Sequence, residues 1–285
     1  NIPFVSQRDH LFNDTALAVQ AQYATDDAAI ASHTKATARS AGWIWDIALP
    51  SRRGIGYVFS SAHTSTEKAE EELAAYIKAD PNLADIQPDP RTIAFQPGHR
   101  QTFWHHNCVA VGVSAGFVEP LEASALILIE KSAEWISEQL PRDNVAMAVV
   151  AKRFNEITRQ HWRALIDFLK LHYVLSERTD TQYWRDHSDA ASIPESLQES
   201  LSLWRTQVPW HFESNHRIEL FSAVSLQYVL YGMEFVTDIN DSRYRQWARD
   251  AKTATRLIHD TNVQAENFMA TLPSNRDLLN RVHRK

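Results

Sequence analysis

The change in hydrophobic periodicity near residue 112 is the feature that most constrains how this chain folds. Before it, short alternating or apolar runs rich in β-branched and aromatic residues, such as Trp43–Leu49 and Gly56–Ser60, predict strands. After it, apolar residues recur at the 3.6-residue spacing of amphipathic helices, as in Asn144–Val174. The pattern predicts an α+β fold, with a strand-rich part over residues 1–112 and a mostly helical part over residues 113–285.

The same patterns give the remaining elements. Further strands are predicted over three short runs, Ala16–Val19, Arg91–Phe95 and Phe103–Val111, and a hairpin connection at Ser51–Gly54. Helices are predicted over five more segments: Thr64–Ala79, Pro120–Gln139, Leu197–Trp204, Ser222–Tyr231 and Ser242–Leu272. The polar segment Ser176–Ser192 is expected to be a connection anchored by Tyr183 and Trp184.

Composition and charge exclude several classes of protein. The chain has 44% hydrophobic and 22% charged residues, which is the composition of an ordinary soluble globular protein. A net charge of -6 without a dense run of lysine or arginine argues against a nucleic-acid partner, and no apolar run is long enough to predict a membrane span. A single cysteine, Cys108, precludes an internal disulfide, so we expect a cytoplasmic protein. The apolar strand around Cys108 predicts a buried, unreactive thiol.

The segment Gly116–Ser124 joins the two parts and holds the clearest chemical signal. Pro120 is favoured in the first turn of a helix, and the unpaired N–H groups of such a turn attract anions. Small residues after Glu122 leave room for a ligand to approach the backbone. From the residues alone, two interpretations stay open: an anion site with an acid beside it, or acidic residues that only cap a helix.

Other candidate groups carry less signal. His105 and His106 are adjacent on a predicted strand and would face opposite ways, and no set of Cys and His completes a site, so no metal is predicted. Trp43 and Trp45 share one face of a predicted strand and are expected to be core aromatics. Glu119 is expected to cap the helix or to hydrogen-bond locally.

Several motifs resemble those of the flavin-dependent tryptophan halogenases. The stretch Asn107–Leu126, NCVAVGVSAGFVEPLEASAL, is similar to the family's NCVAIGLSAGFVEPLEST, and Trp43–Ile47 matches its WxWxI. Arg52–Ser61, RRGIGYVFSS, is similar to the family's RRGNGYVYSS. Further matches follow in the same order: Trp104 with Asn107–Cys108, Asp167–Phe168 with Leu171–Tyr173, and Arg178–Thr181 with Tyr183–Trp184. The resemblance covers residues 10–235.

The resemblance implies an enzyme with a flavin-monooxygenase-like α/β fold, of which this chain is the C-terminal part. Such enzymes receive reduced FAD from a separate flavin reductase. With oxygen and a halide ion, chloride or bromide, they form the hypohalous acid that halogenates a small, electron-rich aromatic substrate such as an indole. None of the seven glycines lies in a GxGxxG pattern. We therefore expect the main FAD site and the family's catalytic lysine to precede this sequence, and the chain alone to be inactive.

The resemblance also assigns roles to particular residues. Glu122 corresponds to the catalytic glutamate, which would orient the oxidant and help to remove the ring proton. The backbone N–H groups of Ser124 and Ala125 would bind the halide, at positions where the family has Thr and Gly. An alanine adopts glycine conformations only at a cost, so an altered halide geometry is expected. Val113 and Leu126 would contact the flavin.

Two other functions stay open, and so does the substrate. A related flavin hydroxylase would transfer oxygen directly to its substrate and would need no halide site. A non-catalytic binding module derived from such an enzyme would not bind FAD. The segment Leu220–Val236 lacks the FWxxN cluster of free-tryptophan halogenases, so free tryptophan is not supported as the substrate. No nucleic acid or membrane partner is expected, and a homodimer stays open.

Overall fold

The computed structural model describes residues 2–84, 89–210, 220–238 and 245–283. Its strands are β1 (Phe4–Ser6), β2 (Thr15–Gln22), β3 (Lys35–Arg39), β4 (Gly42–Ala48), β5 (Arg52–Phe59), β6 (Arg91–Ala94), β7 (Gly98–Arg100), β8 (Trp104–His105), β9 (Cys108–Val109) and β10 (Gly116–Phe117). Its helices are α1 (Thr66–Lys78), α2 (Ala125–Glu138), α3 (Asn144–Val174), α4 (Gln182–His187), α5 (Glu195–Trp204), α6 (Ala223–Gly232), α7 (Arg245–Thr271) and α8 (Asn275–His283). The predicted strand-rich first part and helical second part are therefore confirmed.

A five-stranded antiparallel sheet, in the order β3-β4-β5-β2-β6, forms the centre of the first part. The strands predicted from Ala16, Trp43, Gly56 and Arg91 all lie in it. The predicted hairpin connection at Ser51–Gly54 is wrong in extent, because residues 52–54 already pair with β2 and residues 53–54 with β4. The turn is confined to residues 49–51 and is closed by a hydrogen bond from Leu49 N–H to the Arg52 carbonyl oxygen.

The two faces of this sheet are covered by different helices. Helix α1 covers one face with Leu73 and Ile77, which pack against the buried side chains of Leu17, Ile44 and Tyr57. On the other face, the core residues of the strands contact the C-terminal end of α3 and the short helix α4. That cluster consists of Ala16, Ala41, Trp43, Val58, Tyr173, Tyr183 and Trp184. The second face of the sheet is therefore where the two parts of the chain meet.

The tryptophan motif on β4 shapes this second face. Trp43 is buried, as predicted, and its ring lies 6.2 Å from that of the partly buried Trp45. On the neighbouring strand, a Cβ atom added at Gly56 would lie 2.0 Å from the Trp45 ring. Because no side chain fits there, the glycine of the RRGIGY segment lets the indole lie flat against the sheet.

The helices follow their predicted bounds closely, with one exception described below. The Asp143 side chain accepts a hydrogen bond from Ala146 N–H at 2.7 Å, which caps α3 at the position where its apolar periodicity begins. The predicted connection Ser176–Ser192 contains α4, and Tyr183 and Trp184 anchor it as expected, with exposures of 1% and 5%. Residues 242–244 of the predicted helix Ser242–Leu272 lie outside the described residues. The division into two parts at residues 112 and 113 stays a prediction.

The predicted strand Phe103–Val111 is wrong. It is broken into the two-residue strands β8 and β9 by a turn at His106, whose φ of 52° is in the left-handed region. The side chain of Asn155 on α3 replaces the missing strand partner. Its amide oxygen accepts from Phe103 N–H and Trp104 N–H, each at 2.8 Å, and its amide nitrogen donates to the Trp104 carbonyl at 2.9 Å.

Cys108 lies in this hairpin and is exposed, so the prediction of a buried thiol is also wrong. The apolar run around it forms a short, exposed hairpin instead of a buried strand. Among the helices of the described ranges, none is long and apolar enough to cross a membrane.

We expect Asn155→Ala to lower the free energy of unfolding by about 2–4 kcal/mol, because it leaves buried backbone groups of the β8 segment unpaired. Urea denaturation followed by circular dichroism measures this loss. Asn262→Ala on the exposed surface of α7 is the matched control and should change stability by less than about 0.5 kcal/mol. Equal stabilities of the two variants would show that Asn155 does not hold the hairpin.

Candidate functional site

The loop between β10 and α2 makes a sharp turn at the segment singled out from the sequence. Ala123 N–H donates to the Pro120 carbonyl oxygen at 3.2 Å, and Ala123 has a φ of 50°. A residue in the left-handed region does not continue a right-handed helix, so α2 begins only at Ala125. The prediction of a helix starting at Pro120 is therefore wrong. Glu122 lies in a turn before the helix and not in its first turn.

Glu119 is the centre of a buried hydrogen-bond network. Its carboxylate Oε2 accepts from Trp43 Nε1 at 2.8 Å, from the Tyr173 hydroxyl at 2.6 Å, and from Asn13 Nδ2. Only 3% of the residue is exposed, and Oε1 has no hydrogen-bond partner within the described chain. The prediction that Glu119 bonds locally is wrong, because its partners come from β4, from α3 and from the segment before β2.

Burial controls the charge of this network. Desolvation raises the pKa of the Glu119 carboxyl, while its three hydrogen-bond donors and the nearby His172 oppose that rise. Burial also raises the pKa values of Tyr173 and Tyr183 well above the usual range. Tyr183 remains a hydroxyl that donates to Asn13 Oδ1 at 3.0 Å. Motifs that are far apart in the sequence, around residues 43, 119, 173 and 183, therefore meet in one polar cluster.

Glu122 extends from the same turn toward α3. Its Oε1 lies 3.0 Å from His172 Nε2, and the two side chains are 32% and 24% exposed. The other ring nitrogen of His172, Nδ1, lies 2.8 Å from the Phe168 carbonyl oxygen one helical turn earlier. The adjacent residues His172 and Tyr173 thus contact Glu122 and Glu119 respectively. The Glu122 carboxylate is therefore partly exposed, whereas the Glu119 carboxylate is buried.

The first turn of α2 offers backbone N–H groups to a ligand. The Ser124 side chain makes no capping hydrogen bond, so none of these donors is blocked by it. Ala125 is in the helix and does not have a positive φ; the left-handed residue is Ala123. The expectation that Ala125 must adopt a glycine conformation is therefore wrong, because the residue with the left-handed backbone is Ala123, two positions earlier.

A cavity of about 130 Å³ lies beside this helix start. Ser124, Ala125 and Val113 line it, together with Glu119 from the buried network. Leu126 does not line it. Val113 and Leu126 are 80% and 75% exposed, which is unusual for large apolar side chains and leaves an apolar surface next to the helix start.

Sequence reasoning missed one further polar cluster, centred on Lys170. This lysine is fully buried; its Nζ donates to Ser192 Oγ at 2.9 Å and lies 2.9 Å from His187 Nδ1. The His187 ring stacks on Tyr173 at 4.1 Å, which joins the cluster to the Glu119 network. The sequence did carry a signal of this burial, since Lys170 lies between two leucines of α3, Leu169 and Leu171, that are themselves buried.

Burial lowers the pKa of Lys170 to about 7, although the charges of Glu119 and Asp189 oppose the change. Burial, followed by the charge of Lys170, lowers the pKa of His187 well below its usual range. In the part of the chain that the structure describes, no group of three or more His, Cys, Asp or Glu side chains could hold a metal ion.

We expect Lys170→Met to flatten the pH dependence of stability above neutral pH. The folded-state pKa of about 7 lies below the unfolded value near 10.4, so the unfolded chain binds more protons and wild-type stability rises with pH between them. The rise from pH 7 to pH 9 attributable to Lys170 is about 2 kcal/mol. Urea denaturation at both values measures it, with the exposed Lys152→Met as control. If the free energy of unfolding changed with pH in the same way in wild type and Lys170→Met, the lowered pKa of Lys170 would be contradicted.

We expect Glu119→Ala to lower the free energy of unfolding by about 3 kcal/mol or more, because three buried donors lose their acceptor. Glu119→Gln retains a carbonyl oxygen at the acceptor position and should lose less than half as much. Thermal and urea unfolding of both variants, with exposed Glu130→Ala as control, measure the difference. Equal losses for the Ala and Gln variants would show that hydrogen bonding at this position does not stabilise the fold.

Comparison with known proteins gives one consistent family. The family model described as tryptophan halogenase matches residues 1–249. The tryptophan 6-halogenase SttH of Streptomyces toxytricini is 36% identical over 208 residues, which are 73% of this chain and 39% of that protein. The tryptophan 7-halogenase RebH of Lentzea aerocolonigenes is 27% identical over 99% of this chain and 54% of its own length.

Solved structures agree with the family match. The structure of a tryptophan halogenase from Shewanella frigidimarina superimposes with a TM-score of 0.88 at 45% identity, over 99% of this chain and 53% of that one. BrvH, a flavin-dependent halogenase from Brevundimonas, superimposes with a TM-score of 0.84 at 34% identity, over 98% and 54%. The chain spans about half the length of these relatives, and its elements are those of the flavin-monooxygenase-like halogenase fold. The chain therefore belongs to the tryptophan halogenase family.

Proposed function

We propose that the protein containing this chain is a flavin-dependent halogenase that uses reduced FAD, oxygen and a halide ion to halogenate an electron-rich aromatic substrate. The observation that carries the proposal is the arrangement at the turn after β10. Glu122, paired with His172, precedes by two residues the uncapped start of α2, where Ser124 and Ala125 line a small cavity. A carboxylate and an anion-binding helix start are thus combined on one short segment.

The start of α2 fits a halide ion. A helix of 14 residues carries a partial positive charge at its N-terminus, and its first N–H groups have no intrahelical acceptor. We infer that the N–H groups of Ser124 and Ala125 bind the halide. Replacement of the family's Thr and Gly by Ser and Ala leaves these backbone donors intact, and the helical conformation of Ala125 needs no glycine.

The surface beside this helix start fits a flavin ring. Val113 and Leu126 are both largely exposed and would give apolar contact area to the isoalloxazine. When bound, FAD supplies, with oxygen, the oxidation of the halide. The residues of this chain would hold the cofactor and the halide next to each other and keep the substrate side separate behind the Trp43–Glu119 network.

Glu122 is the residue we propose to act on the reacting atoms. A partly exposed carboxylate can orient the hypohalous acid, and it can accept the proton that leaves the aromatic ring as the new carbon–halogen bond is made. Its neighbour Glu119 is less suited to this role, because it is buried and its Oε2 is already bonded to three donors.

The substrate and partners follow from the same proposal. The names of SttH and RebH describe tryptophan halogenases, which supports a tryptophan-type or other indole substrate. The segment Leu220–Val236 lacks the FWxxN cluster of free-tryptophan halogenases, so free tryptophan itself is not supported as the substrate. We propose a separate flavin reductase as the source of reduced FAD and the cytoplasm as the compartment; a homodimer stays open.

We expect the complete gene product, given reduced FAD, oxygen and an indole, to form a halogenated product only when chloride or bromide is present. Glu122→Gln should lower the rate of this reaction by about 100-fold or more, because the amide cannot accept the proton. Liquid chromatography with mass spectrometry measures the product, and Glu130→Gln on the exposed surface of α2 is the matched control.

Two results would contradict the proposal. An oxygenated product that forms equally well without halide would identify a flavin hydroxylase. Failure of the complete protein to bind FAD would identify a non-catalytic binding module.

A further inference from the structure

We propose that His172 is a positioning residue that holds the Glu122 carboxylate in a single orientation. The inference rests on the proposed function in one respect: its kinetic consequence requires Glu122 to act in the reaction.

Both ring nitrogens of His172 face groups that only accept protons. Nδ1 lies 2.8 Å from the carbonyl oxygen of Phe168, which has no proton to give, so Nδ1–H is the donor. Nε2 lies 3.0 Å from Glu122 Oε1. The two ring nitrogens thus connect the Glu122 carboxylate to the backbone of α3.

The surroundings of His172 favour an attractive contact with Glu122. His172 lies in the last turn of α3, where the helix dipole favours a cation. The ionisable groups that face it from the turn are Glu122 and Glu119, both acids.

The ring of His172 is fixed more firmly than the acid it faces. Besides its bond to the Phe168 carbonyl, it packs edge-on against the Phe168 ring at 5.1 Å, and that ring stacks on Phe221 at 3.9 Å. Glu122, in contrast, lies in an exposed turn, and among the described residues only His172 contacts its carboxylate oxygens. The direction of the Glu122 carboxylate therefore depends on His172.

In this arrangement the two carboxylate oxygens of Glu122 have different roles. His172 occupies Oε1, so Oε2 is left to face the oxidant and the ring proton. Loss of the His172 ring would let the Glu122 carboxylate rotate. Misplacement of a reacting group by about 1 Å costs on the order of 100-fold in rate.

The test compares wild type, His172→Phe and His172→Gln in the complete protein, with His105→Gln as the control at an exposed histidine. We expect His172→Phe to lower kcat about 10-fold to 100-fold with KM for the indole changed less than about twofold. His172→Gln, whose amide can still donate to Oε1, should recover part of this loss.

A second readout separates positioning from a general loss of structure. A scavenger of hypohalous acid, monochlorodimedone, should capture more oxidised halide per flavin turnover in the His172 variants than in wild type, because halide oxidation continues while transfer fails. An unchanged kcat in His172→Phe would overturn the proposal. So would a parallel loss of halide oxidation and product.

The orientation itself can be observed without any activity. Crystal structures of the complete protein should show the Glu122 carboxylate in one rotamer in wild type and in more than one in His172→Phe. A single, unchanged Glu122 rotamer in both proteins would overturn the inference. A wild-type enzyme that gives no halide-dependent product would instead refute the proposed function, and the crystallographic result would still decide the inference about His172.

Discussion

The buried carboxylate of Glu119 is the interaction on which the rest of the site depends. Its Oε2 gathers donors from β4, from the C-terminal end of α3 and from the chain before β2. A buried, unpartnered carboxyl would cost several kcal/mol, so the conformation of the loop depends on these donors. The loop between β10 and α2 is thereby fixed to both parts of the chain.

Because the loop is fixed at Glu119, its exposed end can hold Glu122 in a defined position. Only Pro120 and Leu121 separate Glu119 from Glu122, so anchoring the first residue keeps the second close to His172, at 3.0 Å. The left-handed Ala123 then interrupts the turn, and α2 starts at Ala125. A non-glycine residue in this region is strained by about 1–3 kcal/mol, a cost that the surrounding packing must offset.

Much of the fold could be predicted from the sequence, and the failures have physical reasons. The helix Asn144–Val174 was predicted with its observed bounds because a capped start and a long apolar stripe agree. The helix at Pro120 was predicted five residues too early, because proline at a turn and proline in a first helical turn look alike locally. The prediction of a strand over Phe103–Val111 was wrong because the N–H groups of Phe103 and Trp104 donate to Asn155, about 50 residues away in the chain.

The site was predictable in its residue types but not in its connections. Motif resemblance selected Glu122, Ser124 and Ala125, and the roles of these residues stay predictions. Nothing in the local pattern indicated that Glu119 is buried or that Lys170 has a lowered pKa, because both depend on distant partners. The central claim, that the start of α2 binds a halide, can be measured directly by bromide anomalous diffraction from crystals of the complete protein. We expect a bromide peak within hydrogen-bonding distance of the N–H groups of Ser124 and Ala125; ordered bromide elsewhere, with none at this helix start, would show that this turn is not a halide site.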